Sequence, residues 1–184
     1  MFGIPLHPLV VHFPVVLAVL LPISIVVALW VIRKGATPRR VWSVPLAFAA
    51  ALAASAWVAT ETGESQEDRV ERVIARGALH GHEEAAERFL VLSGVLVLVA
   101  AGGLARGTVG RASRLVTAAG AVGVLAAGVQ VGHSGGLLVY REGAASAYAN
   151  PVPGGNREIG RASTDAMAKP VDDDRDDRDD RDRR

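Results

Sequence analysis

The chain has 184 residues, of which 50% are hydrophobic and 5% aromatic, and its formal net charge is +1. The apolar residues form long blocks with the charges between them. This argues against a soluble domain, which mixes the two classes at helix or strand period. There is no cysteine, which excludes disulfides, thiolate metal sites, cysteine-ligated iron–sulfur clusters and covalent c-type haem.

Four apolar blocks follow one another, and each is long enough to cross a hydrocarbon core of about 30 Å. They cover about residues 9–32, 41–59, 89–105 and 115–139. Short links join the first block to the second and the third to the fourth, which indicates two helical hairpins. We therefore predict an all-α fold: an integral membrane four-helix up-down bundle over residues 1–145, with the lipid bilayer as its environment and no nucleic acid partner.

The two short links are basic. Together they carry seven basic residues and no acidic one, namely Arg33, Lys34, Arg39, Arg40, Arg106, Arg111 and Arg114. Basic links stay in the cytoplasm by the positive-inside rule. We therefore predict a multi-pass protein of the cell membrane with both termini outside the cytoplasm. No basic residue precedes the first block, so it lacks the charged region of a signal peptide and should remain as a membrane helix.

The segment between the hairpins is acidic. Residues 60–88 carry eight acidic residues against four arginines. Val70, Val73, Ile74 and Gly77 recur there at the spacing of an amphipathic helix. We predict a short helix that lies on the bilayer or caps the bundle.

The last segment, residues 146–184, is polar. It contains proline and glycine and ends in a repeat of aspartate and arginine that cannot bury a core. We predict a disordered tail. Docking of the tail to a basic partner or a divalent cation is the alternative.

Up-down threading brings the histidines to one side of the membrane. His12 lies about one turn inside the first block, His82 just before the third, and His133 about two turns from the end of the fourth. With a rise of about 1.5 Å per residue, His12 and His133 are predicted at similar depth. An ionisable side chain there needs a partner, so a cofactor role competes with a buried hydrogen-bonding role. We expect His7 and His80 to be interfacial residues.

The fourth block has a ridge of glycines beside its histidine. Gly128, Gly132 and Gly136 follow at four-residue spacing, and Gln130 lies one turn before His133. Such a ridge indicates close helix packing, either within the bundle or in a homodimer. The alternative is a flat haem that lies against bare backbone, with His133 as its axial ligand.

We therefore predict a bis-histidine site for b-type haem between His12 and His133, with His82 as an alternative ligand or a neighbouring group. Copper with His82 as a third ligand, and zinc, are weaker alternatives, because these ions favour more ligands than two histidines. The other function class is a structural or interaction protein without a cofactor, in which the histidines serve helix packing.

Residues 132–136, GHSGG, match the G-x-S-x-G pattern of hydrolases. That motif requires a strand before the serine and a histidine after it, whereas an apolar helix precedes Ser134 and no histidine follows. A base would have to come from another helix, where His12 and His82 are the candidates. We expect no independent enzymatic activity.

Four motifs resemble a known family: His7-Pro8, Val11-His12-Phe13-Pro14, His82-Glu83-Glu84 and the segment from Gly132 to Tyr140. Over residues 5–145 the chain resembles the bacterial membrane proteins catalogued as domain of unknown function 2231. The resemblance implies four helices, His12, His82 and His133 as the family's histidines, and, because some relatives are fused to Rieske iron–sulfur domains, electron transfer. Since this chain has no cysteine, its redox partner should be a separate protein.

Overall fold

A computed structural model describes residues 6–65, 67–71 and 74–148, and every regular element in these ranges is helical. The elements are α1 (Leu6–Val10), α2 (His12–Arg33), α3 (Pro38–Glu64), α4 (Glu67–Val70), α5 (Arg76–Gly102), α6 (Gly107–Tyr140) and a 3-10 helix (Ala144–Tyr148). The predicted disordered tail lies outside the described residues beyond Tyr148, and so does Val73 of the predicted amphipathic helix.

Four of these helical segments are long and apolar enough to cross a membrane. They are His7–Arg33, Pro38–Glu64, Arg76–Gly102 and Gly107–Tyr140. This confirms the predicted number of spans. Two helices begin earlier than the hydropathy indicated: α5 begins at Arg76 rather than near Phe89, and α6 begins at Gly107 rather than near Leu115. In both cases the first turns are polar and extend the helix beyond the apolar block.

The four long helices close into a ring. α2 packs against α3, α3 against α5, α5 against α6, and α6 against α2. This is the neighbour order of an up-down bundle, so the predicted all-α four-helix fold is confirmed. The neighbours α2 and α6, which carry His12 and His133, are in contact as predicted.

The core of the ring contains many small residues. It includes Ala18, Leu21, Ile25, Ala28, Trp42, Ala49, Leu52, Ala56, Phe89, Leu96, Ala100, Ala121 and Val124. Small side chains let the helix backbones approach closely, which is the usual basis of helix packing in a bilayer. The larger valines and leucines are mainly on the outside, for example Leu98, which is 74% exposed. An apolar outer surface of this kind is suited to lipid.

The two ends of the ring differ in their polar residues. The links between α2 and α3 and between α5 and α6 lie at one end, which we call the arginine end and define by Arg39, Arg106 and Arg114. The opposite end holds His7, His82 and Ser134, and we call it the histidine end.

Candidate functional site

His7 lies on α1 and is held against the end of α3. Its Nδ1 is 2.9 Å from the carbonyl oxygen of Ala59 and 3.4 Å from Thr62 Oγ1. A carbonyl oxygen only accepts hydrogen bonds, so Nδ1 of the imidazole carries the hydrogen and donates it. The other ring nitrogen, Nε2, therefore keeps a lone pair.

His82 lies in the first turns of α5 and is held against α6. Its Nδ1 is 2.9 Å from Ser134 Oγ, and the Ser134 hydroxyl donates to the carbonyl oxygen of Val131 at 3.0 Å. A serine hydroxyl has a single hydrogen. With this hydrogen on the Val131 carbonyl, the His82 Nδ1–H donates to Ser134 Oγ, and in that tautomer Nε2 of His82 keeps its lone pair.

Each of these imidazoles lies against a glycine. A Cβ atom built on Gly63 would be 3.2 Å from His7 Cε1, and one built on Gly135 would be 3.1 Å from His82 Cε1. Both histidines are half-buried. The histidine end therefore brings together two oriented imidazoles, each with little free space on its backbone side.

The contact between Ser134 and His82 bears on the G-x-S-x-G match. Of the two candidate bases, His82 is the one that hydrogen-bonds Ser134. A general base must accept the hydroxyl hydrogen, whereas His82 donates to the hydroxyl oxygen and Ser134 donates to Val131. The arrangement orients the imidazole and does not activate the serine.

The other predicted ligands point away from the core. His12 and His133 are exposed, and each lies two residues before a position that packs inward, Pro14 and Gly135 respectively. Two residues turn an α-helix to roughly its opposite side. Gln130 is exposed as well. Ligation by His12 and His133 stays a prediction, and a cofactor bound there would lie on the outer surface of the bundle.

The predicted glycine ridge of α6 divides into two parts. A Cβ on Gly128 would be 3.1 Å from the ring of Phe89 and 3.8 Å from the side chain of Ala18, so Gly128 packs inside the bundle. A Cβ on Gly132 or Gly136 would have no neighbouring atom within 4 Å. These two glycines therefore leave an open strip on α6.

The sequence analysis placed His7 at the interface and did not predict its contacts with α3. The signal that it missed is the end of α3, where Ala59, Thr62 and Gly63 offer a carbonyl, a hydroxyl and a bare backbone to the ring. Within the described part of the chain, no group of three or more histidines and carboxylates is arranged to hold a metal ion. His7 and His82 are two half-buried imidazoles at the same end of the bundle.

A ring of four apolar helices, with polar side chains gathered at its two ends, defines a polytopic membrane protein of four spans. The chain belongs to the family of predicted membrane proteins called DUF2231, whose model matches residues 3–147. This confirms the resemblance seen in the motifs. Comparisons with curated proteins and with solved structures returned no match.

Proposed function

We propose that this protein is an electron-transfer subunit of the membrane that binds b-type haem at its histidine end, with His7 and His82 as the ligands of the iron. One observation carries the proposal: two half-buried imidazoles at the same end, each of which donates through Nδ1 and keeps a lone pair on Nε2. The proposal retains His82 from the sequence prediction and adds His7.

The hydrogen bonds at Nδ1 are of the kind that supports metal ligation. A ligating histidine commonly donates its other N–H to a carbonyl or another polar group, which fixes the tautomer and the ring orientation and raises the basicity of the ligating nitrogen. His7 has such an acceptor in the Ala59 carbonyl, and His82 has one in Ser134, whose own hydroxyl is fixed by Val131.

The number of histidine ligands favours haem over a bare metal ion. Haem iron takes its remaining ligands from the porphyrin, so two histidines complete its coordination. Zinc and copper sites usually draw three or four ligands from the protein. Copper and zinc remain the alternatives, and metal analysis of the purified protein separates the three cases.

A second ligand set follows from the sequence prediction. His12 and His133 face outward on two neighbouring helices, so a haem between them would lie on the bundle surface and would suit an interface between two copies. The open strip at Gly132 and Gly136 on the same helix supports close approach of a second copy. We keep this homodimer as a separate proposal, with its own test.

The location of the redox partner follows from the orientation of the bundle. By the positive-inside rule, the basic arginine end lies in the cytoplasm and the histidine end faces outward. A separate electron-transfer protein would then reach the haem from outside the cytoplasm. Reporter fusions at Gly35 and Gly110, expected to be cytoplasmic, and at Arg76, expected to be external, test this orientation.

The competing function is structural. The Nδ1 hydrogen bond of His7 joins α1 to α3, and that of His82 joins α5 to α6, so both imidazoles also hold helices together. If the protein binds no cofactor, the histidines serve helix packing alone. The haem protein and the structural protein would share these hydrogen bonds. They differ in whether Nε2 of each histidine binds iron.

The test is an oxidised and a dithionite-reduced absorption spectrum of the full-length protein, purified in mild detergent from haem-supplemented cells, with iron, copper and zinc quantified. We expect a low-spin haem spectrum and iron close to one per site. A colourless, metal-free protein would establish the structural alternative. Stoichiometric copper or zinc without haem would support a metal site and contradict the proposal of haem.

A further inference from the structure

The arginine end contains a cavity of about 250 Å³. This is many times the space that one water molecule needs. Its wall comes from both short links and from the first turns of α3 and α6. The lining residues are Thr37, Pro38, Arg39, Ala105, Arg106, Gly107 and Arg114.

The electrostatics of this cavity are positive. Three arginines line it, and none of the three forms an ion pair with any carboxylate among the described residues. The N-termini of two long helices, α3 and α6, also begin at its wall, and neither has a side-chain cap. The positive ends of the two helix dipoles add to the attraction for an anion.

Arg114 is an independent indication of a ligand. Its side chain is only 6% exposed, and its Nη1 donates to the carbonyl oxygen of Gly103 at 2.6 Å. Its guanidinium carbon also lies 6.0 Å from the ring centroid of Trp42, which is fully buried. A buried cation is costly unless an opposite charge compensates it.

The guanidinium of Arg114 has further N–H donors besides the one that bonds to Gly103. Every completely inaccessible side-chain nitrogen or oxygen among the described residues has a hydrogen-bond partner. The guanidinium donors of Arg114 without such a partner are therefore accessible, and the space beside this side chain is the cavity that it lines. The guanidinium thus presents free N–H donors and a full charge to an incoming group.

We propose that this cavity binds the phosphate group of an anionic phospholipid. Guanidinium groups bind phosphate oxygens through charge-assisted hydrogen bonds, and basic pockets between membrane helices bind anionic headgroups. The cavity lies at the helix ends, the level at which headgroups lie. Val44, Val109 and Leu115, on the same two helices, are more than half exposed and give the acyl chains an apolar surface, which a free phosphate ion would not use.

The proposal is independent of the haem, because it concerns the opposite end of the bundle. Its test is native mass spectrometry of the full-length protein in detergent micelles, titrated with phosphatidylglycerol and, in parallel, with zwitterionic phosphatidylcholine. Inorganic phosphate and glycerol 3-phosphate are titrated as free sources of the same group. We expect saturable binding of phosphatidylglycerol at least tenfold tighter than that of phosphatidylcholine, as one or more charge-assisted hydrogen bonds would give.

The variants Arg39→Gln and Arg106→Gln are suitable because both side chains are exposed, so the fold should persist. Each should weaken phosphatidylglycerol binding about tenfold. Arg111→Gln is the matched control: it removes one charge from α6 at the same end, but Arg111 does not line the cavity. Binding should be unchanged in this control.

Three results would overturn the proposal. Equal binding of phosphatidylglycerol and phosphatidylcholine would show that the cavity does not recognise the negative charge of the lipid. An equal loss in Arg111→Gln would show that only the general surface charge matters. Tight binding of inorganic phosphate that phosphatidylglycerol does not displace would assign the cavity to a free phosphate instead of a lipid.

Discussion

The histidine end and the arginine end of this bundle use polar side chains in opposite ways. At the histidine end, imidazoles donate from Nδ1 to acceptors on neighbouring helices, and their positions are fixed. At the arginine end, three cations line a cavity and carry charge that no described carboxylate balances. The helices between the two ends pack through a core of alanines and larger apolar side chains. Polar groups are costly inside a bilayer, so such a protein concentrates its chemistry where its helices end.

The largest loss of stability is expected at Gly103, in the link at the arginine end. A Cβ there would overlap the indole of the fully buried Trp42. We expect Gly103→Ala to destabilise the bundle by about 3 kcal/mol, the upper range for overpacking a core. The control is Gly94→Ala in α5, where a Cβ would have no neighbour within 4 Å. Unfolding midpoints in SDS titration measure both, and equal midpoints would contradict the packing described for Trp42.

At the histidine end the matched pair is Gly135→Ala and Gly136→Ala. Both variants gain the same helix propensity, but only a Cβ at residue 135 approaches His82, at 3.1 Å from Cε1. The imidazole must shift, and its hydrogen bond to Ser134 weakens. We expect Gly135→Ala to be less stable than Gly136→Ala by about 1 kcal/mol. Identical stabilities would show that the ring has free space beside Gly135.

Ser134→Ala tests how much the hydrogen bond between His82 and Ser134 contributes to stability. The substitution leaves the Nδ1–H of a half-buried imidazole without its acceptor, so we expect a loss of about 1 kcal/mol in the free energy of unfolding. Ser43→Ala is the control, because the Ser43 hydroxyl is exposed and bonds only to Arg40 of its own helix. An unaltered free energy of unfolding in Ser134→Ala would mean that the hydrogen bond does not hold α5 to α6.

The smallest effect on stability is expected for Gly132→Leu. A Cβ at this position meets no atom within 4 Å, so the bundle itself should tolerate the leucine. If a homodimer packs through this strip, crosslinking in the membrane should fall at unchanged protein level. The control is Gly123→Leu, at an equally open position nearer the start of α6, which should crosslink as the wild type does. A wild type that never crosslinks would remove the dimer proposal.

Hydropathy and link length were sufficient to predict the number of helices and their ring order, because a bilayer allows few other solutions for four apolar blocks. They did not predict the start of α5, since the turns from Arg76 to Arg88 are polar and their helix is stabilised by contacts beyond the apolar block.

The faces of the helices were less well predicted than the helices themselves. The inward positions of α2 recur at Pro14, Ala18, Leu21, Ile25 and Ala28, and this series leaves His12 outside. The members of this series recur at alternating spacings of four and three residues, which is the register of one helix face. The same register in α6 passes through Arg114, which the sequence analysis placed in a link. The contact between His82 and Ser134 depends on how α5 and α6 are shifted along each other, which no local pattern determines.

Replacement of individual histidines tests most directly whether His7 and His82 bind haem. The measurement is the amount of low-spin haem per protein, from reduced-minus-oxidised spectra, in His7→Ala and His82→Ala beside His12→Ala and His133→Ala. We predict that His7→Ala and His82→Ala lose the low-spin haem, whereas His12→Ala and His133→Ala keep the wild-type spectrum. Loss of the spectrum in His12→Ala and His133→Ala, with His7→Ala and His82→Ala unchanged, would contradict it.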